Sequence, residues 1–85
     1  MIWQVEWTVP ASKDMRSLDG QAAGRIRAGV LRLADTGQGD VLKLQGHSQE
    51  WWLRVGDYRV RFAFDRQAQV IRVLRVRHRR ESYRG

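Results

Sequence analysis

The sequence contains no cysteine and no long apolar run. Without cysteine there can be no disulfide framework and no thiolate zinc site. No stretch approaches the roughly 20 apolar residues that are needed to cross a bilayer. Residues 1–10 have neither the basic nor the apolar segment of a signal peptide. These absences favour a cytoplasmic protein that has no contact with membranes.

The chain also lacks internal repeats, low-complexity segments and linkers. With 85 residues, it is predicted to form a single domain spanning residues 1–85. A chain of this size can bury one modest core. Its 42% of hydrophobic residues, which include four tryptophans, supply that core and exclude a disordered chain.

Acidic residues are few relative to basic ones. Sixteen Lys and Arg stand against nine Asp and Glu, which gives a formal net charge of +7. Ten arginines lie between residues 54 and 84. The guanidinium group presents a planar fork that grips phosphate and stacks on bases. The charge therefore favours a nucleic-acid partner or an acidic protein partner over an ordinary soluble surface.

The first half of the chain reads as a strand followed by two helices. Residues 2–7 alternate between apolar and polar side chains, which is typical of a half-buried strand. Pro10 fits the first turn of a helix that runs to about residue 18. Asp19 is a plausible N-cap for a second helix, and Gly37 can end it. The helical stripe that faces the core consists of Ala22, Ile26, Val30 and Leu33.

The second half reads as four strands, over residues 41–44, 51–55, 58–65 and 70–77. The breaks between them fall at Gly46, at Gly56-Asp57 and at residues 66–68. The sequence thus predicts an α+β domain with the order β-α-α-β-β-β-β. Its small sheet is mainly antiparallel, with a helical hairpin packed on one face.

Alternation along these strands separates an apolar face from a cationic one. The apolar face, which packs on the helices, is predicted to carry Leu42, Leu44, Trp51, Leu53, Val55, Tyr58, Val60, Phe62 and Phe64. The cationic face is predicted to carry Lys43, Trp52, Arg54, Arg59 and Arg61. The last strand is apolar on both sides, so we expect it to be central, and it ends in Arg75 and Arg77. Cations around an aromatic ring suit single-stranded RNA, which offers phosphates and base faces.

Several blocks of the sequence resemble the RelE branch of the RelE/ParE toxin superfamily. They are residues 43–46 (KLQG), residues 52–60 (WLRVGDYRV) and residues 74–84 (LRVRHRRESYR), with Lys13-Asp14 and Leu18 matching the first helix. The resemblance spans nearly the whole chain. It implies a small curved antiparallel sheet with helices on one face.

The resemblance also implies a function. Such toxins enter the ribosomal A site and cleave mRNA there, by attack of the 2′-OH on the adjacent phosphate, without a metal or other cofactor. A cognate antitoxin neutralises the toxin, and the toxin–antitoxin complex binds its own promoter DNA. The expected partners are therefore an antitoxin, the ribosome and mRNA, with promoter DNA contacted only through the complex.

Individual roles follow from the same resemblance. Arg59 matches an arginine that contacts the scissile phosphate, and Arg54 matches a second cation. Arg79 matches an arginine that assists the leaving group, and Tyr83 matches an aromatic residue that stacks on or orients the substrate. Preorganised arginines stabilise the charge that develops on a phosphate during transfer. The predicted RNA-binding residues are Lys43, Trp52, Arg61, Arg77 and Arg80.

The general base is the point where the chain departs from the family. The better-known members of the family place a lysine two positions before the match of Arg54, and this chain has Trp52 there. His78 is a substitute because histidine titrates near neutral pH, although a surface histidine is an equally good interpretation. Asp40 is a weaker candidate, since an Asp after Gly-Gln-Gly is more often a turn residue.

Two other functions fit the same sequence. A ParE-like toxin shares the fold and inhibits DNA gyrase without being an enzyme. A nucleic-acid-binding module that has lost catalysis is also consistent with Trp52. The cationic and aromatic tail, residues 78–83, favours the nuclease.

Overall fold

The computed structural model describes residues 3–44, 46 and 49–82. Within these residues the elements are β1 (Gln4–Trp7), α1 (Val9–Arg16), α2 (Gly20–Thr36), β2 (Asp40–Lys43), β3 (Glu50–Val55), β4 (Tyr58–Asp65), β5 (Val70–His78) and α3 (Arg79–Ser82). The predicted α+β class and the predicted order of strands and helices are confirmed. The short helix α3 was not predicted. None of the described helices has the length and hydropathy to cross a membrane.

The strands form one mixed sheet in the order β1-β5-β4-β3-β2. β1 pairs parallel to β5, and the other neighbours pair antiparallel. β5 therefore lies between two strands, as its apolar residues on both sides predicted. Ile71 and Val73 of β5 are buried.

Both long helices begin where the sequence provides a cap. The Thr8 hydroxyl accepts a hydrogen bond from Ala11 N–H, so α1 begins at Val9, one residue before Pro10. The Asp19 carboxylate accepts from Ala22 N–H at 2.9 Å and starts α2. α2 ends at Gly37, whose φ of 74° is the left-handed conformation that glycine adopts without strain.

The core lies between α2 and the facing side of the sheet. Gly29 of α2 lies directly on Val55, because a Cβ at position 29 would be 3.0 Å from Val55 Cγ2. The buried residues are Ala11, Ile26, Val30, Leu33, Ala34, Leu53, Val60, Phe62, Ile71, Val73 and Val76. Trp3, Trp7 and Trp51 pack against this core, as their alternation predicted.

The predicted faces are wrong for β2. Val41 is opposite Leu53 and packs on the core, whereas Leu42 is opposite Trp52 and is 42% exposed. Directly paired residues lie on the same side of a sheet. Leu42 is therefore on the cationic face, and Lys43 is on the side that faces α2. A shift of one residue exchanges the two faces of a strand, and two adjacent apolar residues leave that choice open.

α1 covers the edge of β5 beyond the end of β1. The Thr8 hydroxyl donates to Val73 O at 2.8 Å, and Asp14 accepts from Val76 N–H at 2.9 Å. The Asp14 carboxylate also accepts from Arg75, at 2.9 Å and 3.2 Å. Burial raises the pKa of Asp14, but hydrogen bonds from Arg75 and Val76 and the charges of Arg75 and Arg77 outweigh it, so the pKa is lowered.

Candidate functional site

The face of the sheet that points away from α2, here the outer face, carries rows of arginines across three strands. Arg54 of β3 is opposite Arg59 of β4, and Arg59 is opposite Arg77 of β5. The next row places Arg61 between Trp52 and Arg75. The fold thus brings Trp52, Arg54, Arg59, Arg61 and Arg77 to one surface.

A β-bulge in β5 places Arg75 and Arg77 in these rows of arginines. Arg61 is opposite Arg75 but Phe62 is opposite Val73, so Leu74 is an extra residue in β5. The extra residue lets both Val73 and Val76 point into the core, although they are three positions apart. Arg75 and Arg77 consequently lie on the outer face.

Carboxylates hold several of these arginines in place. Arg54 donates to both oxygens of Asp40, at 2.9 Å and 3.0 Å, and Arg61 pairs with Glu50. Like charges directly opposite each other destabilise a sheet. The two arginine–carboxylate pairs therefore reduce the repulsion between the arginines in each row. The planar geometry of the Asp40 pair fixes the orientation of Arg54 as well as its charge.

A second group of carboxylates lies towards the β1 edge. Arg72 donates to Glu6 at 3.1 Å, and its Nη2 lies 3.7 Å from Asp65. The hydrogen bond and charge of Glu6 raise the pKa of Arg72. The Arg72–Glu6 pair lies near the beginning of β5, whereas Arg77 lies near its end.

The outer face ends in a cleft of about 280 Å³, here the arginine cleft. It is lined by Asp40, Arg54, Gly56, Arg59 and Arg79. Gly56, with a φ of 57°, makes the tight turn between β3 and β4 that the Gly56-Asp57 pair predicted. Arg79 is positioned at the cleft because its N–H donates to Asp57 O at 2.7 Å.

The arginine cleft joins three of the predicted catalytic residues, Arg54, Arg59 and Arg79. Asp40, the weaker candidate for the general base, also lines it. Among the described residues that line the cleft, Asp40 is the one that can accept a proton. Its direct pairing with Arg54 follows from the register of β2 on β3, which places the two residues opposite each other.

His78 and Lys43 do not line the arginine cleft. The His78 ring is 5.4 Å from the Tyr58 ring, and its Nδ1 accepts from Arg80 N–H at 3.2 Å. Its Cα partner is Tyr58, so its side chain leaves the sheet on the side opposite to Arg77. Lys43 Nζ is 5.8 Å from the centroid of the Trp51 ring, on the side of the sheet that faces α2.

The remaining predicted site residues belong to the C-terminal tail. Arg80 is exposed on α3. Tyr83 lies outside the described residues, and its role stays a prediction. The roles of Asp14 and Glu50 in orienting arginines were not predicted from the sequence. Glu50 could be found from the register of the β3–β4 hairpin, but no sequence signal links Asp14 to a residue 61 positions away.

The chain is similar to toxins of toxin–antitoxin systems. Residues 5–83 match the model of a family described as the ParE toxin of type II toxin–antitoxin systems. The archaeal RelE in a RelE–RelB complex from Pyrococcus horikoshii is 26% identical. That match covers 93% of this chain and 97% of the other, with a TM-score of 0.78.

Two further structures share the fold. A doubly substituted E. coli toxin RelE in the free state is 18% identical, covering 98% of this chain and 90% of the other with a TM-score of 0.78. A YoeB/ParE toxin from Agrobacterium tumefaciens is 18% identical, covering 88% of this chain and 96% of the other with a TM-score of 0.74. Curated protein sequences give no match.

Proposed function

Since this chain belongs to the ParE toxin family of type II toxin–antitoxin systems, we propose that it acts as a ribosome-dependent endoribonuclease that cleaves mRNA in the arginine cleft. The observation that carries this proposal is the convergence of Arg54, Arg59 and Arg79 on one cleft with a carboxylate beside them. Such a group of side chains suits a phosphodiester and the charge that it gains during cleavage.

The chemistry assigned to the cleft is attack of the 2′-OH on the adjacent phosphorus. The 2′ oxygen forms a bond to phosphorus as the bond to the 5′ oxygen breaks, leaving a 2′,3′-cyclic phosphate and a 5′-OH. Negative charge grows on the non-bridging oxygens. Arg59, between Arg54 and Arg77 on the sheet, is the residue that we assign to those oxygens. Arg79 is assigned to stabilise the charge on the leaving 5′ oxygen, which takes up a proton from water to become the 5′-OH.

We assign Asp40 as the group that accepts the 2′-OH proton. Each of its oxygens accepts one hydrogen bond from Arg54 and keeps a further lone pair for the substrate. Trp52 cannot accept a proton, and His78 packs on Tyr58 at the opposite side of β5. In this assignment Asp40, on the strand next to Trp52, takes the role of the lysine that better-known members carry at the position of Trp52.

Matched variants test this assignment. Arg59→Ala is expected to lower the rate of mRNA cleavage about 10²–10³-fold, the usual loss when one preorganised donor to a developing charge is removed. Arg66→Ala, in the exposed turn between β4 and β5, removes the same charge outside the cleft and is the control. Equal rates for the two variants would contradict a catalytic role for Arg59.

The Asp40 role has its own test. Asp40→Asn keeps an acceptor for Arg54 but removes the base, so we expect a loss of about 10²–10⁴-fold in the cleavage rate with the RNA affinity retained. An RNA with a single 2′-deoxy nucleotide at the cleaved position should be bound and left intact. Cleavage of that RNA would exclude attack by the 2′-OH.

A cognate antitoxin is the protein partner that we propose. Several structures with the same fold are toxin–antitoxin complexes, including those from Pyrococcus horikoshii and Mycobacterium tuberculosis. The net charge of +7 favours an acidic partner. Promoter DNA would then be contacted through the complex.

A second candidate is a non-enzymatic toxin that binds DNA gyrase. It is favoured by the match to the ParE family model and by Trp52 at the position of the lysine. The discriminating measurement is the rate of plasmid supercoiling by purified gyrase with and without the chain. Inhibition of gyrase, together with intact mRNA, would replace the nuclease by this function.

A further inference from the structure

A second cleft lies on the helix side of the molecule, where α1, α2 and the end of β1 meet. This helix cleft has a volume of about 290 Å³ and is lined by Trp7, Ser12, Met15, Arg16 and Arg27. It shares no lining residue with the arginine cleft. Trp7 is paired with Val73, and Arg79 directly follows the end of β5, six residues after Val73, so the two residues are separated by at most about 20 Å at ~3.3 Å per residue.

The two arginines of the helix cleft form no ion pair within the described part of the chain. The carboxylates nearest to Arg16 in sequence make other contacts, Asp14 with Arg75 and Asp19 with the first turn of α2. Two like charges that line one cleft repel each other, and an anion between them would remove that repulsion. This differs from the outer face, where Asp40 and Glu50 already neutralise arginines.

The other walls of the helix cleft are apolar or carry a hydroxyl. Trp7 is half-buried and packs against the core, so its indole is held in place. Met15 supplies a polarisable thioether, which contacts aromatic rings favourably. Ser12 adds one hydroxyl. A guanidinium pair recognises a phosphate, and an aromatic wall recognises a base whatever its identity.

We propose that the helix cleft binds one phosphorylated nucleotide unit of RNA, with the phosphate against Arg16 and Arg27 and the base against Trp7. The chain then holds RNA at two separated points, one of them not catalytic. One part of this proposal rests on the proposed function: the statement that the bound nucleotide belongs to the same RNA that is cleaved in the arginine cleft. The binding chemistry of the helix cleft does not rest on it.

The first test is a titration of the full chain with adenosine 5′-monophosphate, followed by NMR of the indole and guanidinium N–H signals. The Trp7 indole and the Arg16 and Arg27 guanidinium signals are expected to shift together and saturate. Adenosine without phosphate is expected to bind at least about tenfold more weakly, because it lacks the charged contacts. Shifts confined to Arg54, Arg59 and Arg79 would overturn the proposal.

Matched variants then separate a specific site from general electrostatic attraction. Arg16→Gln and Arg27→Gln are each expected to weaken nucleotide binding about tenfold. Arg25→Gln removes the same charge from α2 outside the cleft and is expected to change the affinity by less than about twofold. An equal loss for Arg25→Gln and Arg27→Gln would overturn the proposal. A shift of Trp7 with hexaglutamate but not with the nucleotide would do the same, in favour of an acidic peptide.

The source of the nucleotide is tested with a single-stranded oligoribonucleotide. Arg27→Gln is expected to reduce the slope of log affinity against log salt by about 0.7, the value for one lost phosphate contact on a single strand. An unchanged slope would contradict an RNA ligand even if the mononucleotide binds. Because these readouts involve no cleavage, a chain that binds RNA here and cuts nothing would contradict the proposed function alone.

Discussion

The contribution of the contact between Asp14 and the edge of β5 to the free energy of unfolding can be predicted and tested. Asp14→Asn removes the charge that holds Arg75 and weakens the acceptor for Val76 N–H. Hydrogen bonds to charged groups contribute about 1.5–3 kcal/mol each, but the Arg75 side chain is 39% exposed and can turn to water. The amide oxygen of Asn still accepts one bond. We therefore expect a loss of about 1–2 kcal/mol, or roughly 4–16 °C in Tm for a domain of this size.

The same contact predicts a dependence on pH. The pKa of Asp14 is lowered in the folded chain, so its carboxylate stabilises the fold above the unfolded pKa of about 3.9. That stabilisation is lost as the pH falls through the folded pKa. The difference in stability between the wild type and Asp14→Asn should thus be complete at pH 7 and should shrink below about pH 4.

Thermal unfolding followed by circular dichroism at pH 7 and at pH 2 is the assay. Asp35→Asn is the matched control, since Asp35 is exposed at the end of α2 and makes no ion pair within the described residues. An equal loss of Tm for the two variants at pH 7 would refute the role of Asp14. A difference in Tm between the wild type and Asp14→Asn that is the same at pH 2 as at pH 7 would refute an electrostatic origin of the stabilisation by Asp14.

Further variants test the packing and the tail. Gly24→Ala should stabilise α2 by about 0.5–1 kcal/mol in urea unfolding, because its Cβ meets nothing within 4 Å; a loss would contradict this. Gly39→Ala should destabilise by about 1–3 kcal/mol, because its Cβ would be 2.9 Å from Leu53 Cδ1; no loss would show that Leu53 yields. His78→Gln should leave the pH profile of cleavage near neutrality in place, and a flattened profile would make His78 the base. Tyr83→Ala should lower cleavage and leave antitoxin binding intact, and loss of both would mean a structural role.

Much of the fold follows from local signals in the sequence. α2 has a capping residue at Asp19, an apolar stripe and a glycine at position 37, and all three act within a few residues of chain. The β3–β4 hairpin follows from Gly56-Asp57 and from alternation on both sides. Because this hairpin fixes its own register, the opposition of Arg54 and Arg59 could be predicted from the sequence.

Other features depend on contacts between distant segments. β2 has only four residues, two of them adjacent apolar residues, so its alternation fits either face. Its pairing with β3 decides that Val41 is inside and Lys43 is not on the outer face. The pairing also puts Asp40 opposite Arg54, so that the two side chains form an ion pair at the arginine cleft. The position of Asp40 after Gly-Gln-Gly indicated only a turn residue.

The most direct test of the central claim is primer extension on a reporter mRNA in a cell-free translation system. The chain is added with active ribosomes or to the same mRNA without them, and Arg59→Ala is run beside the wild type. The proposal predicts new 5′ ends at codon-phased positions, only with translating ribosomes and only with the wild type. Intact mRNA in every lane, from folded chain that still arrests cells, would contradict a nuclease and leave the arginine cleft as a binding surface for another target.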